Sequence, residues 1–335
     1  MPRDQGNSIT ALCTTALITL IWAMPLASFA QAPNKSIHVG ILVGGSLAQR
    51  GELDQALVQG LREQGYVEGK NLIVERRYAN NMNAQLPEFA RELAAMKLDA
   101  IVTTCTPSTR AAQQATSSTP IVMAAVSDPV GHGLIASLAQ PGRNITGLSS
   151  QAQELLPKML ELFSSVVPKS ATIAVLTNSL NPVHALMWQR LEGAAQTLKV
   201  KLVRVEANGH AGLPAALDAT VREHAGALFV LPDDPMSFNY RARIIEFAAK
   251  HRMPDFYWAS EFVDAGGMMS YGENLRGSYR NAASYIDKVV KGVNPANLPV
   301  QQPTKFELVI NLKTARALKL EISRELAVRA DRVIE

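Results

Sequence analysis

Short apolar runs alternate with amphipathic segments along most of the chain. The apolar runs are nearly continuous, which is typical of strands buried on both faces of a parallel sheet. They occupy residues 37–43, 100–104, 120–125, 171–176 and 227–231. Between them, apolar residues recur at helical spacing, for example over residues 86–94 and 182–198. Strands that alternate with helices in this way indicate βαβ units and a parallel sheet covered by helices.

The same alternation runs through two comparable blocks, so the predicted fold class is α/β with two doubly wound parallel-sheet lobes. The tail adds a strand-like segment, a long helix over residues 274–291 and an extended segment, which are too few for a third domain. These segments are expected if the chain returns to the first lobe and then crosses back to the second, which gives a hinge of several strands. We therefore expect lobe 1 at residues 37–148 plus 273–302, and lobe 2 at 149–272 plus 303–335.

The first 30 residues have the pattern of a signal peptide. An apolar stretch over residues 9–26 ends in small residues at Ser28 and Ala30, as a signal peptidase requires. The alternative is a retained membrane anchor. Several threonines and Pro25 interrupt the stretch, which argues against a stable membrane span. We predict cleavage after Ala30 and a periplasmic mature protein.

Composition narrows the function classes. The formal net charge is +4 and the basic residues are scattered, so a nucleic-acid partner is not expected. Removal of the leader leaves Cys105 alone, which excludes an internal disulfide. The roughly 305 residues that remain are too many for one ordinary core, which again favours two lobes. We expect a monomer.

Patterns of catalysis and metal binding are missing from the sequence. No serine lies in a G-x-S-x-G motif. The six histidines form no H-E-x-x-H motif and none neighbours a cysteine at metal-ligand spacing. Cys105 ends an apolar strand, which is more typical of a small buried residue than of a nucleophile. We therefore expect no enzyme activity, no catalytic residues, no metal and no cofactor.

Polar and aromatic residues follow nearly every predicted strand. In open α/β sheets, ligands bind outside the carboxyl ends of the strands. We therefore expect a small-molecule site built from these positions. The candidate ligand-binding residues are Gly45, Ser46, Thr104, Thr106, Ser108, Ser127, Asp128, Asn178, Asn181, Asp234, Trp258 and Tyr271.

Three of these positions form two groups with opposite preferences for the charge of a ligand. Thr106 and Ser108 stand at a predicted helix start, whose free N–H groups suit a carboxylate. The alternative is that Thr106 is merely an N-cap with Pro107 at the first helical position. Asp128 suits an ammonium group, although an aspartate before Pro129 is also typical of a turn. Together they predict a small zwitterion such as an α-amino acid.

Two further loops are open to two interpretations each. Gly44-Gly45-Ser46 either cradles an anion through its backbone or forms a simple tight turn. Asp233 and Asp234 are either paired carboxylates or, because Pro235 follows, a solvated turn.

Longer stretches resemble a known family. They are residues 60–69, 127–131, 261–267 and 302–311. With them, the chain from residue 37 onward resembles the ABC-transporter substrate-binding family that includes tryptophan- and tyrosine-binding proteins. The resemblance implies a type I periplasmic binding protein architecture, capture of a small solute and delivery to an inner-membrane ABC permease. Similar proteins often carry Asn-Pro-x-Asn-Pro where this chain has residues 178–182 without the first proline.

The expected function is thus that of a periplasmic substrate-binding component of an importer. One alternative is a periplasmic sensing module that docks on a receptor in its closed form. A third class is an exported enzyme.

Overall fold

A computed structural model describes residues 36–335. The predicted signal peptide, residues 1–30, lies outside the described residues. Within 36–335, the helices are all too short or too polar to cross a membrane. Strands and helices are numbered in chain order below.

The first lobe is built on a five-stranded parallel sheet in the order β2-β1-β3-β4-β5. Its strands are β1 (Ile37–Val43), β2 (Leu72–Tyr78), β3 (Ala100–Thr103), β4 (Ile121–Ser127) and β5 (Ile145–Ser150). The helices between them are α1 (Leu47–Glu63), α2 (Leu86–Ala95) and α3 (Thr106–Ala115). Strands β1, β3 and β4 are largely apolar and almost fully buried, as the continuous apolar runs predict, whereas β2 carries Glu75, Arg76 and Arg77 and is mostly half-buried.

The second lobe is built on a seven-stranded sheet in the order β12-β11-β10-β9-β8-β6-β7, parallel except between β10 and β11. Its strands are β6 (Thr172–Asn178), β7 (Lys201–Ala207), β8 (Ala227–Val230), β9 (Asp255–Tyr257), β10 (Met269–Gly272), β11 (Glu307–Asn311) and β12 (Arg332–Ile334). Its helices are α4 (Ala152–Ser164), α5 (Val183–Leu198), α6 (Gly209–Arg222), α7 (Pro235–Asn239), α8 (Arg241–Lys250), α9 (Ser260–Asp264), α11 (Leu312–Ala317) and α12 (Arg324–Arg329). This pair of α/β lobes confirms the predicted fold class.

The remaining helix, α10 (Leu275–Val290), returns to the first lobe and packs along α1 and against β4. The two helices are so close at Gly60 that a Cβ there would lie 2.3 Å from the Arg280 carbonyl oxygen. The Tyr66 hydroxyl donates to Asp287 Oδ1 at 3.0 Å and fixes the far end of α10. The chain then pairs Gln301 with Leu148 beside β5 before it re-enters the second sheet at β11.

The order of the strands in each sheet determines where a crevice forms between the loops. In the first sheet β1 lies between β2 and β3, and in the second sheet β6 lies between β7 and β8. The chain therefore reverses its direction of winding at these strands, which opens a crevice at their carboxyl ends. The loops after β1, β3, β6 and β8 meet at this crevice.

Several short elements were not predicted from the sequence. They are α7, α9, α12 and β12, none longer than six residues. A helix of this length spans less than two turns and a strand of three residues shows at most one alternation, so neither carries enough positions for an apolar period to be recognised.

Candidate functional site: a cavity between the lobes

Both lobes contribute to one cavity. From the first lobe it is lined by Arg50, Thr104, Cys105 and Tyr279, and from the second by Asp233, Asp234, Trp258 and Glu273. Leu155, Met159 and Phe306 add apolar surface. The space open to the centre of a water molecule is about 30 Å³, enough for roughly two waters.

The lobes touch directly around this cavity. The Thr106 hydroxyl donates to Asp233 Oδ2 at 3.1 Å. Asn239 Nδ2, at the end of α7, donates to Asn81 Oδ1 of the first lobe. A Cβ on Gly45 would lie 2.6 Å from Asn239 Nδ2, so the glycine permits this approach. The structure is therefore that of a closed cleft.

Ser46 lies just before α1, whereas Arg50 lies within its first turn. Ser46 is the N-cap, and its hydroxyl donates to Gln49 Oε1 at 2.6 Å, so it serves the helix start. Arg50 lies one turn further on and is only 5% exposed. Its guanidinium lies 4.2 Å from the ring centroid of Phe238 in the second lobe. Its Nε has no hydrogen-bond partner among residues 36–335.

Helix α3 begins at Thr106, with Cys105 as the N-cap. The interpretation of Thr106 as the N-cap is therefore wrong, and its hydroxyl is free to reach Asp233. Ser108 Oγ accepts from the backbone N–H groups of Thr104 and Cys105 at 3.1 and 3.2 Å, so it supports the loop. The Thr104 hydroxyl faces the cavity and, among the described residues, lacks a hydrogen-bond partner.

Asp128 is half-buried in the loop after β4 and does not line the cavity. Its backbone has a φ of 39°, and its Oδ1 accepts from the Gly131 N–H at 2.8 Å. This geometry is that of the turn alternative, and the ammonium role stays a prediction. The neighbouring Ser127 is fully buried, and its hydroxyl has no partner within residues 36–335.

Asp234 organises the second-lobe wall. Its Oδ1 accepts from Asn178 Nδ2 at 3.0 Å and its Oδ2 from the Ser237 N–H at 3.1 Å, which caps α7. Asn181 Nδ2 donates to the Asp233 carbonyl oxygen at 2.7 Å and holds the same loop. Both aspartates are buried, so the interpretation of a solvated turn is wrong.

Asp233 faces the cavity with a φ of 56°. Burial raises the pKa of its carboxyl group to about 8, while the hydrogen bond from Thr106 lowers it and the nearby charges of Asp234 and Glu273 raise it further. Glu273 comes directly after β10 and accepts from the Ser278 hydroxyl at 2.7 Å. Burial raises the pKa of Glu273 to about 7. The cavity thus holds two acids that protonate near neutral pH.

Aromatic rings form part of the cavity lining. Trp258 lines it, and its indole Nε1 lacks a hydrogen-bond partner in the described part of the chain. Its ring centroid lies 5.8 Å from that of Phe238. Tyr271 does not line the cavity, but its ring lies 6.1 Å from Phe306, which does.

Of the sequence-predicted residues, Thr104, Asp234 and Trp258 line the cavity. Gly45, Thr106, Asn178 and Asn181 shape its walls through the contacts above. Sequence reasoning missed Arg50 and Tyr279, which lie inside helices and not at strand ends. The Tyr279 hydroxyl is buried near Thr104 without a hydrogen bond of standard geometry among residues 36–335. Glu273 could have been found, since it follows the Tyr271-Gly272 strand end directly.

Known proteins resemble the chain over nearly its whole length. The family described as ABC transporter substrate binding protein matches residues 39–334. A tyrosine-binding protein of Clostridioides difficile (strain R20291) is 26% identical over 290 residues, which cover 86% of this chain and 82% of that protein.

Solved structures share the fold. A conserved domain protein from Vibrio cholerae is 29% identical with a TM-score of 0.83, covering 89% of this chain and all (100%) of that one. An ABC domain in complex with L-Trp from Streptococcus pneumonia has a TM-score of 0.82 at 22% identity, covering 90% of this chain and 100% of that chain. The expected type I periplasmic binding protein architecture is confirmed.

Proposed function

Because the chain belongs to the family of ABC transporter substrate-binding proteins, we propose that it captures a small solute in the cavity between its lobes. It does so in the periplasm, as a monomer after removal of its signal peptide, and delivers the solute unchanged to an inner-membrane ABC permease.

One observation carries this proposal: buried polar atoms of both lobes face the same cavity without a partner in the described residues. They are Arg50 Nε and Trp258 Nε1, together with the hydroxyl groups of Thr104 and Tyr279, which lie near each other without a hydrogen bond of standard geometry. Leaving a buried donor or acceptor unpaired costs about 1–3 kcal/mol. A ligand that supplies the missing partners recovers this cost, so the closed cleft is arranged for a bound solute.

The chemistry of the lining favours an α-amino acid with an aromatic side chain. Arg50 matches a carboxylate, since a guanidinium pairs with it in bidentate fashion. Trp258, Phe306 and Met159 offer apolar and aromatic surface for a ring. The tyrosine-binding relative and the L-Trp complex support the same class of ligand.

The cleft must open to admit such a solute and must close less far around it than in this structure, because the cavity here has room for only about two waters. We place the hinge where the chain passes between the sheets: between β5 and α4, between β10 and α10, and before β11. These crossings lie near the lobe limits expected from the sequence, 37–148 plus 273–302 and 149–272 plus 303–335. A hinge of this kind allows closure around a ligand.

The first experiment identifies the ligand and measures its affinity. Native mass spectrometry of protein purified without denaturation is expected to detect a retained small molecule, and calorimetry with L-tyrosine, L-tryptophan and other amino acids measures its affinity. Arg50→Met removes the charge from the cavity and is expected to weaken binding by about 10- to 150-fold, the value of a charge-assisted hydrogen bond. Arg243→Met, on the exposed face of α8, is the matched control and is expected to bind as the parent does.

Tryptophan fluorescence locates the site independently. Trp258 lines the cavity, whereas Trp188 lies on α5. Ligand is expected to change the fluorescence of Trp188→Phe protein and to change that of Trp258→Phe protein much less. Equal binding by Arg50→Met and the parent, together with the reverse fluorescence pattern, would contradict a site in this cavity.

A further inference from the structure

Two acids of the second lobe face the cavity from different strand ends, Asp233 after β8 and Glu273 after β10. We propose that Asp233 and Glu273 together bind an amino group of the ligand, and that this group replaces a proton that the two acids hold in the empty closed cleft. The inference rests on the proposed function, since it names the chemistry by which the same cavity selects its solute.

Each of the two acids has one oxygen held in place and one left over. Asp233 Oδ2 accepts from the Thr106 hydroxyl at 3.1 Å, and Glu273 Oε2 accepts from the Ser278 hydroxyl at 2.7 Å. Within residues 36–335, no further side-chain hydrogen bond engages Asp233 Oδ1 or Glu273 Oε1. Asp234 differs, because the Asn178 amide and the α7 backbone occupy both of its oxygens. The acids available to a ligand are therefore Asp233 and Glu273.

Independent groups indicate that a ligand belongs beside these acids. Arg50, Thr104 and Tyr279 are 5%, 6% and 1% exposed and line the same cavity. Arg50 Nε lacks a hydrogen-bond partner in the described residues, and the hydroxyl groups of Thr104 and Tyr279 lie near each other without a hydrogen bond of standard geometry. A solute with a carboxylate near Arg50 and an amino group near the acids would satisfy both sides of the cavity at once.

The charged groups around Asp233 and Glu273 are more often acidic than basic. Asp233 faces Asp234, Glu273, Cys105 and the single cation Arg50. Glu273 faces Glu261, a buried acid whose own neighbours are Arg276, Asp264 and Arg241. Burial raises the pKa of Asp233 to about 8 and that of Glu273 to about 7. At pH 7 the pair therefore holds between one and two protons, with Asp233 mostly protonated.

An incoming ammonium group changes this balance. A positive charge within a few ångströms favours the ionised carboxylates, so the pair gives a proton to solvent while the ligand keeps its ammonium protons. No bond of the ligand forms or breaks. A solute without an amino group cannot pair with the ionised acids and therefore does not drive proton release.

Calorimetry measures the exchange on the unaltered protein. L-tyrosine and L-tryptophan are titrated at pH 7 in phosphate and in Tris, whose ionisation enthalpies differ. The apparent heat is expected to depend on the buffer and to report the release of about one proton per ligand, and the Kd is expected to fall by up to about tenfold per pH unit between pH 6 and 8. Heats and affinities that are independent of buffer and pH would overturn the proposal.

Variants test whether Asp233 and Glu273 act specifically on the amino group of the ligand or whether the loss of any negative charge has the same effect. Asp233→Asn and Glu273→Gln are each expected to weaken an amino acid by about 10- to 150-fold and to reduce proton release. They are expected to affect the deaminated analogue, 3-(4-hydroxyphenyl)propionate, by less than about threefold. Asp218→Asn, at an exposed position of α6, is the matched control and keeps the parent affinity and proton release. Equal losses for amine and deaminated ligand would contradict an amino-group site.

The outcomes also distinguish this inference from the function it rests on. If amine-free solutes such as sugars bind in the cavity with sensitivity to Arg50→Met while amino acids do not, the inference fails and the proposed function stands. If no solute in the panel binds and native mass spectrometry detects none, the proposed function and the inference fail together.

Discussion

The loops after β4 and β8 look alike in sequence but differ in the structure. Both place an aspartate directly before a proline, at Asp128 and Asp234. Both also hold an aspartate in the left-handed region, with φ of 39° at Asp128 and 56° at Asp233. Asp128 is half-buried and accepts from the N–H of its own turn. Asp233 is buried and accepts from Thr106 of the other lobe.

Strand order accounts for part of the difference, although Ser150 at the end of β5, still further from the reversal, also lines the cavity. Strand β8 lies directly beside β6, where the order of the second sheet reverses, so its carboxyl end opens on the cleft. In the first sheet the reversal lies between β1 and β3, and β4 is one strand further out. A loop of similar chemistry therefore becomes part of the ligand cavity in one lobe and a local turn in the other. Loop composition alone therefore does not identify a site.

The sequence predicts most of the fold because buried parallel strands and amphipathic helices each leave a periodic pattern. It predicts part of the cavity for the same reason, since Thr104 and Trp258 follow strands whose ends are visible in the sequence. Arg50 and Tyr279 leave no such signal. They meet only because α10 returns to pack on α1, and that contact is set by tertiary packing across more than two hundred residues, not by a local pattern.

The largest expected effect is on the free energy of unfolding when the aspartate before the proline is replaced in each of the two loops. Asp234→Ala removes the cap of α7 and leaves buried Asn178 Nδ2 without its acceptor. We expect a loss of about 2–4 kcal/mol in the free energy of unfolding, from the cap and the unpaired donor together. Asp128→Ala, which removes one partly exposed turn hydrogen bond, is expected to cost about 0.5–1 kcal/mol. Urea denaturation of both variants measures the difference, and equal losses would contradict the distinction between the loops.

The second effect is on the pH dependence of stability. The pKa of Asp233 rises from 3.8 to about 8 on folding. Between these values the unfolded chain releases a proton that the folded protein keeps, so the stability of ligand-free protein falls as pH rises. Asp233→Asn removes this contribution, and its stability relative to the parent is expected to increase by about 1–3 kcal/mol between pH 5 and 7.

Urea denaturation at several pH values measures this slope. Burial also raises the pKa of Glu273 to about 7 and that of Asp255 to about 6, so part of the slope remains in the variant. Asp128→Asn, which removes a carboxylate from the other loop, is the matched variant for comparison. A parent stability that rises from pH 5 to 7, unchanged by Asp233→Asn, would mean that the acid is ionised in the folded cleft.

The smallest expected effect tests the role that the sequence suggests for Asp128. If its carboxylate held the ligand's ammonium group, Asp128→Asn would weaken an amino acid by about 10- to 150-fold. In the structure its Oδ1 is engaged by the Gly131 N–H at 2.8 Å, and the residue does not line the cavity. An asparagine retains a side-chain oxygen for the same turn, so we expect a change in affinity of less than about threefold. Calorimetry with L-tyrosine and its deaminated analogue measures both values. A large loss confined to the amine would move the ammonium site to the loop after β4 and would require the cleft to close differently around its ligand.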